Sequence, residues 1–349
     1  MFEPKFKLTL KMLSTLGSIE RFYGQIHSEK LIPSLSLRLV QENQILATHY
    51  STSIEGNPLS PQDFTNVVLG SQIPTTKSEK EVKNYFAIIT SLGNFARQNT
   101  PISVEMTEKC HGSLMDGLEE KSKWGLRDSG VFVGHKEGDQ MVVKHNPPFH
   151  TKDEIIKALT ELYDWAQNEK EIHPLLKAGI FHHQFAYIHP FFDGNGRIGR
   201  VLTTYYLLLA HYEVSKYFIL DDYYDIDRHL YSDTLHTADS GDKTEWLEYF
   251  LEGIANSLQA AIGRIHDLSS GRLDEITGEK RVLVTSREEE VLQIIIEKKA
   301  IKTSDIEEAF NVSRQQAHSL LASLVRKGML EKFGSTKTSY YKLAKKSDS

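Results

Sequence analysis

This sequence predicts a mainly helical protein with one β-hairpin insert and a small winged helix-turn-helix unit towards its C-terminal end. Three observations carry that reading. Helical signals with recognisable stops fill most of residues 35–266. One stretch, 129–145 (SGVFVGHKEGDQMVVKH), instead holds two β-branched runs around a Gly-Asp turn region. Beyond a polar stretch at 268–285, the order of signals changes to three short helices followed by two strands.

The elements follow in order. A helix is expected over 35–55, stopped by Gly56-Asn57-Pro58. Shorter helices are expected over 61–69, 78–97 and 104–118. The hairpin comes next and ends at Pro147-Pro148, which cannot continue a ladder. Helices over 153–169, 174–188, 197–212, 227–238 and 244–266 complete the body. Residues 268–285, with Ser-Ser-Gly and Thr-Gly, read as a linker. An amphipathic helix is then expected over 287–298, a second over 303–310 and a third over 313–327, capped by Ser313. Strands 329–333 and 339–343 flank Gly334-Ser335-Thr336. The domain plan is a helical region at 1–100, a core at 101–267, the linker, and a winged helix at 286–345.

Composition limits the function. The chain has 349 residues, 40% hydrophobic and 25% charged, which is ordinary for a globular protein. A net charge of −6 does not suit a chain built to coat nucleic acid. One cysteine, Cys110, excludes a disulfide framework within the chain and a multi-cysteine zinc site. No stretch approaches the roughly 20 apolar residues of a membrane span, and the start does not read as a secretory signal, so a cytoplasmic location is expected.

The chemistry concentrates in 189–200, HPFFDGNGRIGR. An apolar helix delivers His189, a loop of Asp193-Gly194-Asn195-Gly196 follows, and a new helix begins near Arg197. Glycines beside a helix N-terminus let backbone N–H groups converge on an anion. Asp193 is a hard oxygen ligand of the kind that holds Mg²⁺ beside phosphates. Arg197 and Arg200 lie on the first turn and can fork onto phosphate oxygens. A base, a metal carboxylate, an anion nest and two clamps are the parts of phosphoryl-type transfer. A glycine loop capping a helix would explain GNG alone, but not the flanking residues. No Gly-Lys-Ser/Thr follows, so this is not a Walker A loop.

The stretch resembles the Fic family signature, H-x-F-x-D/E-G-N-G-R-x-x-R, at every defined position, and the likeness extends over roughly 35–266. The resemblance implies a protein adenylyltransferase using ATP with Mg²⁺ or Mn²⁺. His189 would be the general base for a target Ser, Thr or Tyr hydroxyl, Phe191 the loop anchor and Asp193 the metal ligand. Gly194, Asn195 and Gly196 would form the anion hole, with Arg197 and Arg200 as triphosphate clamps. Ile198 and Gly199 between them are counted with the ATP-binding run. Phosphorylating members tend to carry lysine where Gly196 stands, which favours AMP transfer here.

Residues 51–56, STSIEG, resemble the family's inhibitory motif. Ser51 and Glu55 are four apart and share a helix face. The resemblance implies that Glu55, before Gly56, pairs with Arg200 and blocks the γ-phosphate. The hairpin 129–145 resembles the flap on which a target protein docks, with self-modification a further option. Tyr231 and Asp239 are candidate adenine contacts. Adjacent His182 and His183 point to different faces and fit packing or supporting roles better than a metal site. The stretch 313–346 carries Arg314, Gln315, Gln316, His318, Arg326, Lys327, Lys337, Lys342, Lys345 and Lys346, which fits DNA or a protein partner equally. The rival readings are a DNA-binding regulator with a nucleotide-sensing core, and removal of AMP.

Overall fold

The computed structural model describes residues 2–28, 33–70, 73–120, 124–137, 140–212, 219–270, 288, 291, 292, 294, 295, 298–326, 329–334 and 339–344. They fall into two compact units, Met1–Ser28 with Leu39–Arg264, and Glu29–Arg38 with Ile265–Ser349.

The first unit runs through α1 (Leu10–Ser28), α2 (Pro33–Ile54), α3 (Pro61–Val68), α4 (Lys77–Arg97) and α5 (Val104–Met115). The antiparallel hairpin β1 (Val133–Glu137) and β2 (Gln140–His145) follows. Then come α6 (Lys152–Asn168), α7 (Pro174–Ile188), α8 (Asn195–Leu209), α9 (Leu220–Ile226), α10 (Arg228–Thr237) and α11 (Thr244–Ser270). The helix α7 is the spine. Leu175, Ala178, Ile180, Phe181, Phe185 and Ile188 are all buried, so it is apolar around its circumference, as an interior helix must be. Pro174 opens it, where a missing N–H costs nothing. Helices α6 and α8 pack against it, and α4 and α5 pack against α8. From α11, Trp246 donates its indole N–H to the Gly179 carbonyl at 2.8 Å.

Local caps explain several boundaries. Helices α4 and α6 each begin with a capping box, Thr76 with Glu79 and Thr151 with Glu154. Helix α2 ends in a Schellman motif. Gly56 takes φ 87°, its N–H bonds the Ser53 carbonyl, and the Asn57 N–H bonds that of Thr52. Two helices were not expected. In α1, Gly17 and Gly24 dilute an apolar stripe of Met12, Leu16, Ile19 and Ile26. Helix α9 is a short acidic turn, too brief for periodicity to show. Helix α8 begins two residues earlier than expected, which brings Asn195 and Gly196 into its first turn. The division expected at residue 100 is one of sequence and not of packing, because α4 lies against α5 and α8 within one body.

In the second unit, α12 (Thr303–Phe310), α13 (Arg314–Arg326) and the hairpin β3 (Leu330–Phe333) and β4 (Tyr340–Leu343) enclose Val291, Leu292, Ile295, Ile301, Ile306, Leu321, Leu324 and Tyr341. Ile301 and Tyr341 exchange backbone hydrogen bonds of 3.0 and 2.8 Å. The expected helix over 287–298 lies partly outside the described residues; of the linker expected over 268–285, residues 268–270 are the end of α11 and the rest lie outside the described residues. No helix among the described residues is long and apolar enough to cross a membrane.

A methyl group on Gly179 would stand 2.7 Å from Leu247 Cδ2 and 3.0 Å from Phe250 Cδ1. Gly179→Ala is therefore expected to destabilise the protein by about 1–3 kcal/mol, the usual cost of overpacking. Urea denaturation monitored by circular dichroism checks this, and an unchanged midpoint would contradict the packing of α11 on α7.

Candidate active site

The site is built on the turn between α7 and α8. His189 closes α7 in the left-handed region, φ 49° and ψ 64°, with its N–H on the Phe185 carbonyl. A non-glycine residue there is uncommon, and it turns the imidazole out of the helix line. Arg127, fully buried, holds the turn from behind. Its Nε donates to the His189 carbonyl at 2.7 Å and its Nη2 to that of Ile188 at 3.1 Å. Its Nη1 reaches the carbonyls of Ser129 and Phe149. One guanidinium thus fixes the base to both roots of the hairpin.

The loop after His189 is closed by its own side chains. Asn195 Oδ1 accepts from the Phe191 N–H at 2.9 Å, and Asn195 Nδ2 donates to the Phe191 carbonyl at 2.8 Å. The Asn195 side chain therefore shapes the loop, leaving its backbone for any anion. Phe191 is fully buried and stacks on His111 at 3.8 Å. The Gly125 N–H faces His111 Nδ1, so Nε2 donates to the Asp193 carbonyl at 3.1 Å. Gly194, at φ 82°, caps α8 without a side-chain hydrogen bond. The first-turn N–H groups of α8 are left at its positive end. The Ile198 N–H is already spent on the Gly194 carbonyl. Ile198 is fully buried and Gly199 abuts Phe185, so the side of α8 they occupy packs into the core.

Both arginines are engaged by carboxylates. Arg197 Nη2 lies 2.8 Å from Asp193, and its Nη1 pairs with Glu81 on α4. Asn57 holds Glu81 in turn at 2.8 Å. Arg197 Nε is buried without a hydrogen-bond partner, a donor left over. Arg200 is 3% exposed. Its Nε donates to Ser51 Oγ at 2.7 Å, and its Nη2 to the Ser51 carbonyl and to Glu55 Oε1, each at 2.8 Å. Asp221 stands 3.2 Å away on the other side. Burial works against the Arg200 charge, but Glu55 and Asp221 outweigh it and hold its pKa above the ordinary value. Asp221 itself is raised by burial, against the pull of Arg200. A Cβ on Gly196 would fall 2.3 Å from Glu55 Oε1. The Glu55 carboxylate therefore lies over the first turn of α8, where a phosphate would lie.

Burial lowers the His189 pKa to about 4, with His145 and Arg127 adding to the shift, while a hydrogen bond to the Ala186 backbone opposes it. At neutral pH the imidazole is uncharged and fit to accept a proton. The Tyr231 hydroxyl meets His182 Nε2 at 2.9 Å, and its ring stacks on Tyr224 at 4.2 Å. Both carboxylate oxygens of Asp239 are taken by His145, His183 and His236. Asp239, expected as an adenine contact, is thus engaged by three imidazoles, and Tyr231 by His182. His182 is a packing residue, bonded to Thr203 and Tyr231.

The comparisons with known proteins bear on this geometry. The Fic/DOC family profile matches residues 101–207, which takes in the hairpin, His189 and both arginines. The chain carries a Fic domain. A FaeA-like protein profile matches residues 287–338 of the second unit. Protein adenylyltransferase fic-1 of Caenorhabditis briggsae is 24% identical over 295 residues, covering 82% of this chain and 53% of that protein. The chain thus spans about half the length of the curated relatives it matches. A probable protein adenylyltransferase of Aquifex aeolicus is 37% identical over 75 residues, covering 21% of this chain and 22% of its own. Among solved structures, a Fic family protein from Desulfovibrio desulfuricans superimposes with a TM-score of 0.64 at 25% identity over the whole of both chains. Fic-1 from C. elegans, at 20% identity and a TM-score of 0.59 over 73% of each chain, shares the fold. The family profile begins after α2, so it does not cover the contacts that Ser51 and Glu55 make with Arg200.

Burial depresses the pKa of His182 to about 3 and those of His183 and His189 to about 4. The unfolded chain protonates these rings below about pH 6.5, whereas the folded protein does not until far lower. The stability they contribute is complete above that pH and is lost as pH falls. The urea midpoint is expected to drop between about pH 7.5 and pH 5, and His182→Asn to show a shallower drop. Equal slopes for the two proteins would contradict the burial of a neutral His182.

Proposed function

We propose that this Fic domain is a protein adenylyltransferase that moves AMP from ATP to a Ser, Thr or Tyr hydroxyl of a target protein, held off by Glu55. One observation carries the reading: an uncharged imidazole stands at a turn that leads straight into a helix N-terminus flanked by two arginines. The relatives named as adenylyltransferases support it.

In the reaction, the hydroxyl oxygen forms a bond to the α-phosphorus as the α–β bridging oxygen departs with pyrophosphate. His189 takes the hydroxyl proton on the ring nitrogen not bonded to Ala186. The N–H groups at the start of α8 hold phosphate oxygens, and Arg197 and Arg200 grip the outer phosphates. Asp193 is 56% exposed, with a carboxylate beside the arginines. It fits a hard divalent ion such as Mg²⁺ or Mn²⁺, which offsets phosphate charge when bound. A target segment pairs with the hairpin edge above His189.

Glu55 acts as the brake because a carboxylate and a γ-phosphate compete for Arg200. Ser51 supports the contact directly, through its hydroxyl and its carbonyl. In the second unit, Arg314, Gln315, Gln316 and His318 are exposed along α13. This is the arrangement a groove-reading helix needs, so DNA binding is the second reading. A gel shift that weakens as salt rises tests it, and the absence of any shift at low salt would exclude it.

His189→Ala is expected to lower AMP transfer by about 10²–10⁴-fold with ATP affinity retained, since the base acts on the target and not on ATP. Transfer that survives in this variant would remove His189 from the mechanism. Glu55→Gly is expected to raise labelling from α-³²P-ATP by roughly 10- to 150-fold, the equivalent of a charge-assisted contact of about 1.5–3 kcal/mol. Ser51→Ala should raise it less. Combining Glu55→Gly with Arg200→Ala should erase the gain, which a mere change in stability would not do. Excess EDTA should abolish transfer in every active form.

A further inference from the structure

Beside the base lies a cluster that the chemistry above does not use. Asp239 Oδ2 stands 2.7 Å from His145 Nδ1 and 3.0 Å from His236 Nδ1. These three ligand atoms lie within 4.8 Å of one another, the one such group among the described residues. His145 is the last residue of β2, His236 lies in the last turn of α10, and Asp239 sits in the 3₁₀ turn that follows.

The partners of the cluster assign its protons. His145 Nε2 faces the Tyr187 carbonyl at 2.9 Å, so that nitrogen carries hydrogen and donates. Its Nδ1 then presents a lone pair to a carboxylate oxygen. Two lone pairs at 2.7 Å repel, and either a second proton or a cation must lie between them. The other Asp239 oxygen is tied down at 2.9 Å by His183 Nε2, and Lys243 donates to His183 Nδ1 at 2.8 Å. An imidazole whose far nitrogen donates to a carbonyl, and a carboxylate whose far oxygen accepts from a neighbour, make up the outer layer of a metal site.

We propose that His145 Nδ1, His236 Nδ1 and Asp239 Oδ2 bind one divalent transition-metal ion of the Zn²⁺ class. Two imidazoles and a carboxylate suit that ion better than Mg²⁺, which prefers oxygen alone. Bond lengths of about 2.0–2.2 Å in a tetrahedron set ligand atoms roughly 3.3–3.6 Å apart, so the two imidazole nitrogens would move back from Asp239 Oδ2 by about 0.3–0.9 Å. A fourth position is left for water. The ion ties the return strand of the hairpin to α10. At present Lys144 makes that connection through Asp233, at 2.6 Å with Asp233 64% exposed, a contact that water weakens. The metal is thus a structural pin for the surface on which a target docks.

The test uses the full chain, treated with chelator and then titrated with Co²⁺ without nucleotide. One equivalent is expected to bind with the intense visible absorption of tetrahedral Co²⁺, and Zn²⁺ to displace it. His236→Ala, at a partly exposed position, and Asp239→Asn should weaken binding by more than the about 10- to 100-fold that loss of an outer partner costs. Near-ultraviolet circular dichroism verifies that both variants are folded. Asp193→Ala should leave the absorption intact, which separates this site from the nucleotide metal. Absence of the visible bands in the unmodified protein, or their persistence in folded His236→Ala, overturns the proposal. The readout needs no AMP transfer, so its failure and that of the adenylyltransferase reading are distinguishable.

Discussion

The end of α2, the first turn of α8 and α9 meet on one buried guanidinium. Arg200 enters the core at 3% exposure, where an unmatched charge would cost several kcal/mol. The protein meets that requirement from two directions, with Asp221 of α9 on one side and the end of α2 on the other. The α2 contribution is divided between a hydroxyl, a carbonyl and a carboxylate. Of these, Glu55 is the most exposed and the easiest to replace. An incoming phosphate need not strip Arg200 bare, because Ser51 and Asp221 stay in place while one anion is exchanged for another. Under the proposed function, control of the site reduces to a contest between two anions for one cation, and the Schellman turn at Gly56 gives the carboxylate a defined position from which to compete.

The base is held independently of that contest. Arg127 grips the carbonyls on either side of the α7 terminus together with both roots of the hairpin. Asn195 and the stacked pair of Phe191 and His111 lock the loop that follows. These bonds join backbone to side chain within the first unit and make no use of Glu55. The moving part and the fixed part of the site therefore share the short first turn of α8 while resting on different supports.

How much of this was legible in the sequence depends on the range of each interaction. The motif at 189–200 was readable because its parts lie within twelve residues, and the pairing of Glu55 with Arg200 was suggested by spacing and resemblance before the geometry placed the two together. Long-range partners left no local trace. Arg127 is a lone arginine before a hairpin, His111 is one of fifteen histidines, Glu81 is one acid on a charged helix, and Asp221 sits in an acidic run. Nothing near them in sequence separates them from solvated surface. Asp239 gives no local sign of its surroundings, because His145 and His183 reach it from distant segments and His236 from three residues before it. Ile198 and Gly199 were credited with a nucleotide role by position in the motif, whereas the helix face they occupy points into the core. Helix α1 was missed because two glycines interrupt an apolar stripe that only tertiary burial rescues.

The left-handed backbone at His189 has a consequence of another kind. An L-residue with a β-carbon costs roughly 1–2 kcal/mol in that region, a cost glycine would avoid. The chain bears this strain at the one residue whose imidazole it needs, when a glycine would end α7 more comfortably. Thermodynamic fitness and chemical competence therefore pull in opposite directions at position 189. Selection for a hardier fold alone would erode the reaction first, and the most durable descendants of this protein would be the inert ones.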